Sequence, residues 1–150
     1  MQPIDLIRTN QDCRRFVYDD ATGLPIKPGT LVKGHPAIGY GRALDLVGLG
    51  GCEIEQMLRN DAGRAARDAI VAVGMPTWME LEASRQAALI DIIYQSFGRD
   101  FCQFQAVYDA VRAGNWRHAY EKALSCTWPS GSAARAKRNA AILLTAEWPL

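Results

Sequence analysis

Nowhere in the 150 residues is there a run of roughly 18 apolar side chains, so no membrane-spanning helix and no membrane insertion are expected. Histidine is scarce (His35 and His118), and the four cysteines (Cys13, Cys52, Cys102, Cys126) are scattered with no Cys-x-x-Cys pair. Metal sites draw on clustered ligands of these types, so the pattern calls for neither a metal nor a cofactor. A chain of this length buries roughly two-thirds of its unfolded surface without cross-links, and the thiols are expected to be reduced. Charge of one sign is also lacking: 17 basic and 16 acidic side chains leave a net charge of +1, which does not call for nucleic acid. The opening residues Met1-Gln2-Pro3-Ile4-Asp5 combine no basic start with an apolar stretch, so no secretory signal is expected. There is no internal repeat, low-complexity tract or linker, and residues 1–150 read as one domain, expected to be monomeric.

What is present is the ordinary mix of a globular protein, 49% hydrophobic and 22% charged, which excludes a disordered chain. Pro3 suits a first helical turn, and Ile4, Ile7 and Gln11 recur at three- and four-residue spacing, so a helix is expected over about 3–13 with Gln11 on its inward face. From Phe16 the texture changes. Phe16-Val17-Tyr18 is strand-like, Asp19-Asp20-Ala21-Thr22-Gly23 is turn chemistry, and Ala37-Ile38-Gly39-Tyr40-Gly41 alternates as a short strand. A small β lobe is therefore expected over about 16–45.

Helical patterning then occupies about 52–148. Ile54, Leu58, Ala62, Ala65, Ala69 and Val73 mark a long amphipathic helix closed by Gly74 and Pro76. Ser84 is placed to cap a helix running through Tyr94 that is apolar nearly all round and so belongs inside a bundle. Phe101, Phe104, Val107, Tyr108 and Val111 mark another, stopped at Gly114; Asn115 and Ser132 begin two more. The fold class is α+β, mostly α, with a β lobe, a helical bundle and a cleft expected between them. In the last third, Arg135, Lys137 and Arg138 crowd into four positions, a pattern that by itself marks a solvated helix face.

One constellation stands out: Arg8, Gln11, Arg14, Tyr18, Asp20 and Gly23, followed by Ile38-Gly39-Tyr40-Gly41-Arg42. It resembles the phage-type lysozymes of glycoside hydrolase family 24, the endolysin muramidases. In that family a glutamate is followed at the same offsets by arginine, tyrosine, aspartate and glycine, and a threonine precedes Ile-Gly-x-Gly. Arg85-Gln86-Ala87-Ala88-Leu89 through Gln95 and Gly98 resembles the family's central helix, and Trp128 with Arg135-Ala136-Lys137-Arg138 its closing segment. The resemblance extends over about residues 4–148. It implies a lysozyme-like fold that engages peptidoglycan glycan, with catalytic positions 11, 20 and 37 and sugar contacts from Tyr18, Gln95 and Arg135. It also implies a bacteriophage setting, and a chain made in the cytoplasm that acts in the periplasm or cell wall.

Two of the three chemical positions depart from that pattern. Inverting glycoside hydrolysis needs a protonated acid at the leaving oxygen and a carboxylate holding water on the opposite sugar face, about 6.5–9.5 Å apart. Asp20, in a turn, suits the second role. Gln11 stands where the acid belongs, and an amide has no proton to give. Ala37 stands where the threonine hydroxyl would help hold the water. Asp12 and Asp19 are the neighbouring carboxyls that compete for the acid's role, each one residue out of place. Gln11 can still hydrogen-bond sugar or pair with Arg135. The expectation is a peptidoglycan-engaging domain with impaired hydrolysis; the alternative is a non-enzymatic binding or structural module on the same fold.

Overall fold

The computed structural model describes residues 2–95, 104–128 and 130–148. Its elements are α1 (Pro3–Asn10), β1 (Arg14–Asp19), β2 (Pro36–Gly39), β3 (Arg42–Ala43), α2 (Gly51–Val73), α3 (Met75–Glu80), α4 (Ala83–Gln95), α5 (Gln105–Arg112), α6 (Trp116–Ser125) and α7 (Ala133–Thr145). The protein is mostly helical with a small antiparallel sheet of order β1-β2-β3, the expected α+β class. By its contacts the chain divides into two compact units, Met1–Glu55 and Gln56–Leu150. Among the described residues no helix is long and apolar enough to cross a membrane.

In the first unit α1 starts as expected, with Pro3 in its first turn and Asp5 accepting from the Gln2 N–H at 2.9 Å. It ends sooner than expected. Gln11 donates its N–H to the Ile7 carbonyl but is itself extended (φ −126°, ψ 131°), so the helix stops at Asn10 rather than near Cys13. The physical reason follows three residues later, where Arg14 is already paired with Gly39 in the sheet. No residue of α1 is buried, and Ile4 and Ile7 are 53% and 52% exposed, so the inward apolar face expected beneath Gln11 is not found.

The sheet is built on β1, which pairs with β2 through Tyr18↔Ala37 and Asp19↔Pro36 with a bulge toward Arg14. β1 also doubles back on the segment after its turn: Asp19 N–H donates to the Leu24 carbonyl and Ile26 N–H to the Val17 carbonyl, both at 3.0 Å. The expected strand Ala37–Gly41 is found over Pro36–Gly39, and its last two residues turn into a hairpin with β3. Ile38 pairs with Arg42 and Ala37 with Ala43, with Tyr40-Gly41 as the turn between the strands. Gly39 and Gly41 both have positive φ (65° and 83°), a conformation that glycine adopts without strain.

The second unit holds the main core. Ala65, Ala69 and Val73 of α2 pack with Leu89, Ile92, Phe104, Val107 and Leu143 among others, and each large side chain so buried contributes about 1.5–3 kcal/mol. α2 is the long helix expected, but Ile54 and Leu58 near its start are about half exposed. Pro76 does not merely terminate α2; it sits in the first turn of α3, an element not anticipated from the sequence. Asn115 caps α6, its Oδ1 accepting the His118 N–H at 3.1 Å. Ser84, by contrast, is not a cap but lies inside α4, buried, donating its hydroxyl to the Ala146 carbonyl at 2.6 Å. Beside it Arg85 donates to the Leu143 and Leu144 carbonyls, so α4 side chains satisfy the C-terminal end of α7. Cys13 and Cys52 are exposed thiols, and burial pushes the half-buried Cys126 thiol up. Phe101, Cys102 and Gly98 lie outside the described residues.

Candidate functional site

Four of the six residues singled out in the sequence, Gln11, Tyr18, Asp20 and Ala37, belong to the first unit. Asp20 sits just past β1 in the turn, exposed. Its backbone N–H donates to the His35 carbonyl at 3.0 Å, and its Oδ1 accepts the His35 N–H at 2.7 Å. The carboxylate is therefore held by one oxygen while facing solvent. His35 is anchored in turn, its Nδ1 lying 2.8 Å from Asp45 Oδ2. That hydrogen bond and charge raise the His35 pKa, with Asp20 adding a smaller push the same way, and they lower the pKa of Asp45.

Tyr18 lies one pair along β1, with the Arg14 guanidinium 4.3 Å above its ring. Arg14 also donates to the Gly23 carbonyl at 2.6 Å, which ties the strand to the far end of the turn. Arg14 and Gly23 thus serve the frame of the turn. Gln11 reaches the hairpin connection: a Cβ added at Gly41 would lie 3.3 Å from Gln11 Oε1 and 3.9 Å from the Tyr18 hydroxyl. The Gln11 carboxamide and the Tyr18 hydroxyl thus both lie near Gly41, where a side chain would crowd the carboxamide. Ala37 is 1% exposed, in the middle of the sheet between Tyr18 and Ala43, so its methyl presents almost no surface.

Two carboxylates nearby take roles the sequence did not suggest. Asp19, 2% exposed, accepts the Ala21 and Gly34 N–H groups on Oδ1 (3.0 and 2.9 Å) and the Lys33 N–H on Oδ2 (2.8 Å). These bonds, that from Lys33 foremost, outweigh burial and lower its pKa, so Asp19 is a fixed anion and no source of a proton. Glu53 lines a groove of about 520 Å³ together with Tyr40, Gly41, Arg42, Val47 and Leu49. Its Oε2 accepts from Arg42 and, at 2.7 Å, from the Gly50 N–H; the Arg42 bond above all lowers its pKa, so Glu53 too is ionised. Its position was legible as a capping pattern: a glutamate three residues after the glycine that precedes a helix.

The other two residues belong to the second unit. Gln95 ends α4 at 6% exposure, and its buried Nε2 has no hydrogen-bond partner among the described residues. Arg135 is exposed on α7, its Nε 4.0 Å from Asp91 Oδ2, which also accepts the Asn139 Nδ2–H at 2.7 Å. Asp91, Arg135, Arg138 and Asn139 line a hollow of about 300 Å³ with Trp148 at its rim. Among the described residues there is no group of three His, Cys, Asp or Glu side chains that could hold a metal ion.

No family model matches the chain. The chain is similar to the pre-baseplate central spike protein Gp5 of Enterobacteria phage T4, 26% identical over 161 aligned positions that take in 97% of this chain. It spans 28% of that protein's length. The likeness is thus to a segment of a bacteriophage protein.

Proposed function

We propose that this chain is a lysozyme-type domain that engages peptidoglycan glycan strands in the periplasm or cell wall and cleaves them poorly, because Gln11 occupies the general-acid position. The observation that carries the reading is the division of roles inside the first unit. Asp20 offers an exposed carboxylate pinned by the His35 N–H, while the Gln11 carboxamide and the Tyr18 hydroxyl both lie near Gly41. In an inverting reaction water bonds to the anomeric carbon and gives its proton to Asp20, as the bond to the leaving oxygen breaks. That oxygen must take a proton from position 11, and Gln11 has none. Asp19 and Glu53 are ionised and do not replace it. Tyr18 is the sugar contact proposed in the first unit; Gln95, whose Nε2 has no hydrogen-bond partner among the described residues, and Arg135 are those proposed in the second, each unit taken by itself. The likeness to a phage spike protein favours a bacteriophage setting.

The test is co-sedimentation with purified sacculi and release of reducing sugar, for the chain as it stands and for Gln11→Glu. The unmodified chain is expected to bind and release little; Gln11→Glu is expected to gain roughly 10²-fold, the usual worth of general acid catalysis. Sugar release by that variant is followed across pH, since only a protonated glutamate supplies the proton. Lysozyme-like release by the unmodified chain would refute the assignment of position 11. A second reading, a non-enzymatic binding or structural module, is favoured by the name of the phage relative and by the buried methyl of Ala37. Absence of both sacculus binding and recovered activity would establish it over the first.

A further inference from the structure

Asp19 and Asp20 are neighbours with opposite environments, because successive residues at a strand end point to opposite faces. We infer that Asp19 is a positioning residue for Asp20, an inference that rests on the hydrolytic reading of this site. Asp20 touches the rest of the unit through His35, which it grips twice, by its own N–H and by Oδ1. His35 follows Lys33 and Gly34, the two residues whose N–H groups Asp19 holds with separate oxygens at 2.8 and 2.9 Å. Asp19 also holds Ala21, on the other side of Asp20. One buried carboxylate therefore fixes both segments that flank the exposed one. Three backbone donors favour the ionised form, so the clasp is kept at neutral pH.

The fit is close. A Cβ on Gly34 would overlap Asp20 Oδ1 and come within 2.7 Å of the Ala21 Cβ, so the 33–35 loop lies against Asp20 with no side chain between. Holding Oδ1 on the His35 N–H leaves Oδ2 to accept from the attacking water. Rotation of the carboxylate would misdirect that water without removing any group that binds sugar.

The experiment uses the full chain carrying Gln11→Glu, compared with the same chain carrying in addition Asp19→Asn or Gly34→Ala. An asparagine can still accept from Ala21 and Gly34, but its amide opposes the Lys33 N–H, donor against donor. The alanine pushes the loop from the other side. Each is expected to lower kcat roughly 10²-fold, the scale on which a displacement of about 1 Å acts, with KM and sacculus co-sedimentation unchanged. Rates are measured below the thermal midpoint of each variant, per folded molecule. A merely structural Asp19 would lower the midpoint and leave kcat per folded molecule where it was, and that result in either variant overturns the inference alone. If the Gln11→Glu parent itself releases no reducing sugar, the hydrolytic reading falls and the positioning role with it.

Discussion

Replacing Arg85 by methionine tests whether one buried cation holds the end of α7. The side chain is 7% exposed and makes four contacts at once. Nε donates to the Leu143 carbonyl at 2.9 Å, Nη2 to the Leu144 carbonyl at 3.3 Å and Nη1 to Glu82 at 2.8 Å, while the guanidinium stacks 3.7 Å over the Trp116 ring. The Leu143 and Leu144 carbonyls lie in the last turn of α7, where a helix has no N–H of its own to offer them. Methionine fills most of the volume and keeps a contact with the indole, so the cost is chiefly electrostatic. The closer carbonyl bond, charge-assisted and buried, is worth about 1.5–3 kcal/mol, the longer one about 1, and the cation over the ring about 1. The exposed side of Glu82 adds little. The expected loss is about 3–5 kcal/mol in urea unfolding at constant slope, with a thermal midpoint lower by roughly 10–15 °C. Arg85→Lys keeps the charge and loses the fork, and is expected to recover less than half of the difference. A loss under about 1 kcal/mol for the methionine, or equal stability for lysine and arginine, would refute the view that the planar fork caps α7.

Gly41→Ala is expected to destabilise the first unit by about 1–2 kcal/mol, since φ is 83° there, and to displace the Gln11 carboxamide that its Cβ would meet at 3.3 Å; unchanged stability by urea unfolding would count against the hairpin geometry. Ala37→Thr adds a methyl and a hydroxyl at a fully buried strand position, so it is expected to cost about 1–3 kcal/mol and, by itself, to restore no sugar release. The pair His35–Asp45 is expected to stabilise the loop most between about pH 4 and 6.5. The raised His35 pKa means its contribution is complete below the ordinary value of 6.5 and is lost as pH rises through the folded value. The lowered Asp45 pKa means its contribution is present above 3.8 and is lost as pH falls through the folded value. The difference in thermal midpoint between the chain and Asp45→Asn, followed across pH, should therefore peak inside that window; a difference still growing above pH 8 would be the wrong sign.

Periodicity was legible wherever the partner of a segment lay within a turn or two of it. The extent of α2, the cap at Asn115 and the stop at Gly114 are local matters, and the structure has each where the sequence puts it, although the expected apolar face of α2 is buried only from Ala65 on. Long-range partners were not legible. The helix through Ile4 and Ile7 continues on paper to Cys13, but a strand pairing with Gly39, 25 residues on from Arg14, claims the backbone first. Ser84 has the chemistry of a cap, and it does satisfy a helix end, though that end is the last turn of α7, 62 residues away. Asp19 shows the same limit at the candidate site. As a residue type it was a turn former or a spare acid; its burial and its ionised state come from Lys33 and Gly34, whose N–H groups the sheet brings back to it from 14 and 15 residues along. The chemistry of a carboxylate is set by its donors, and donors contributed by folding have no signature in spacing. Spacing alone therefore put Asp19 and Asp20 on equal terms, two adjacent turn aspartates. The sheet separates them into a buried clasp and an exposed carboxylate, and it is that difference which makes the second a candidate base and the first its support.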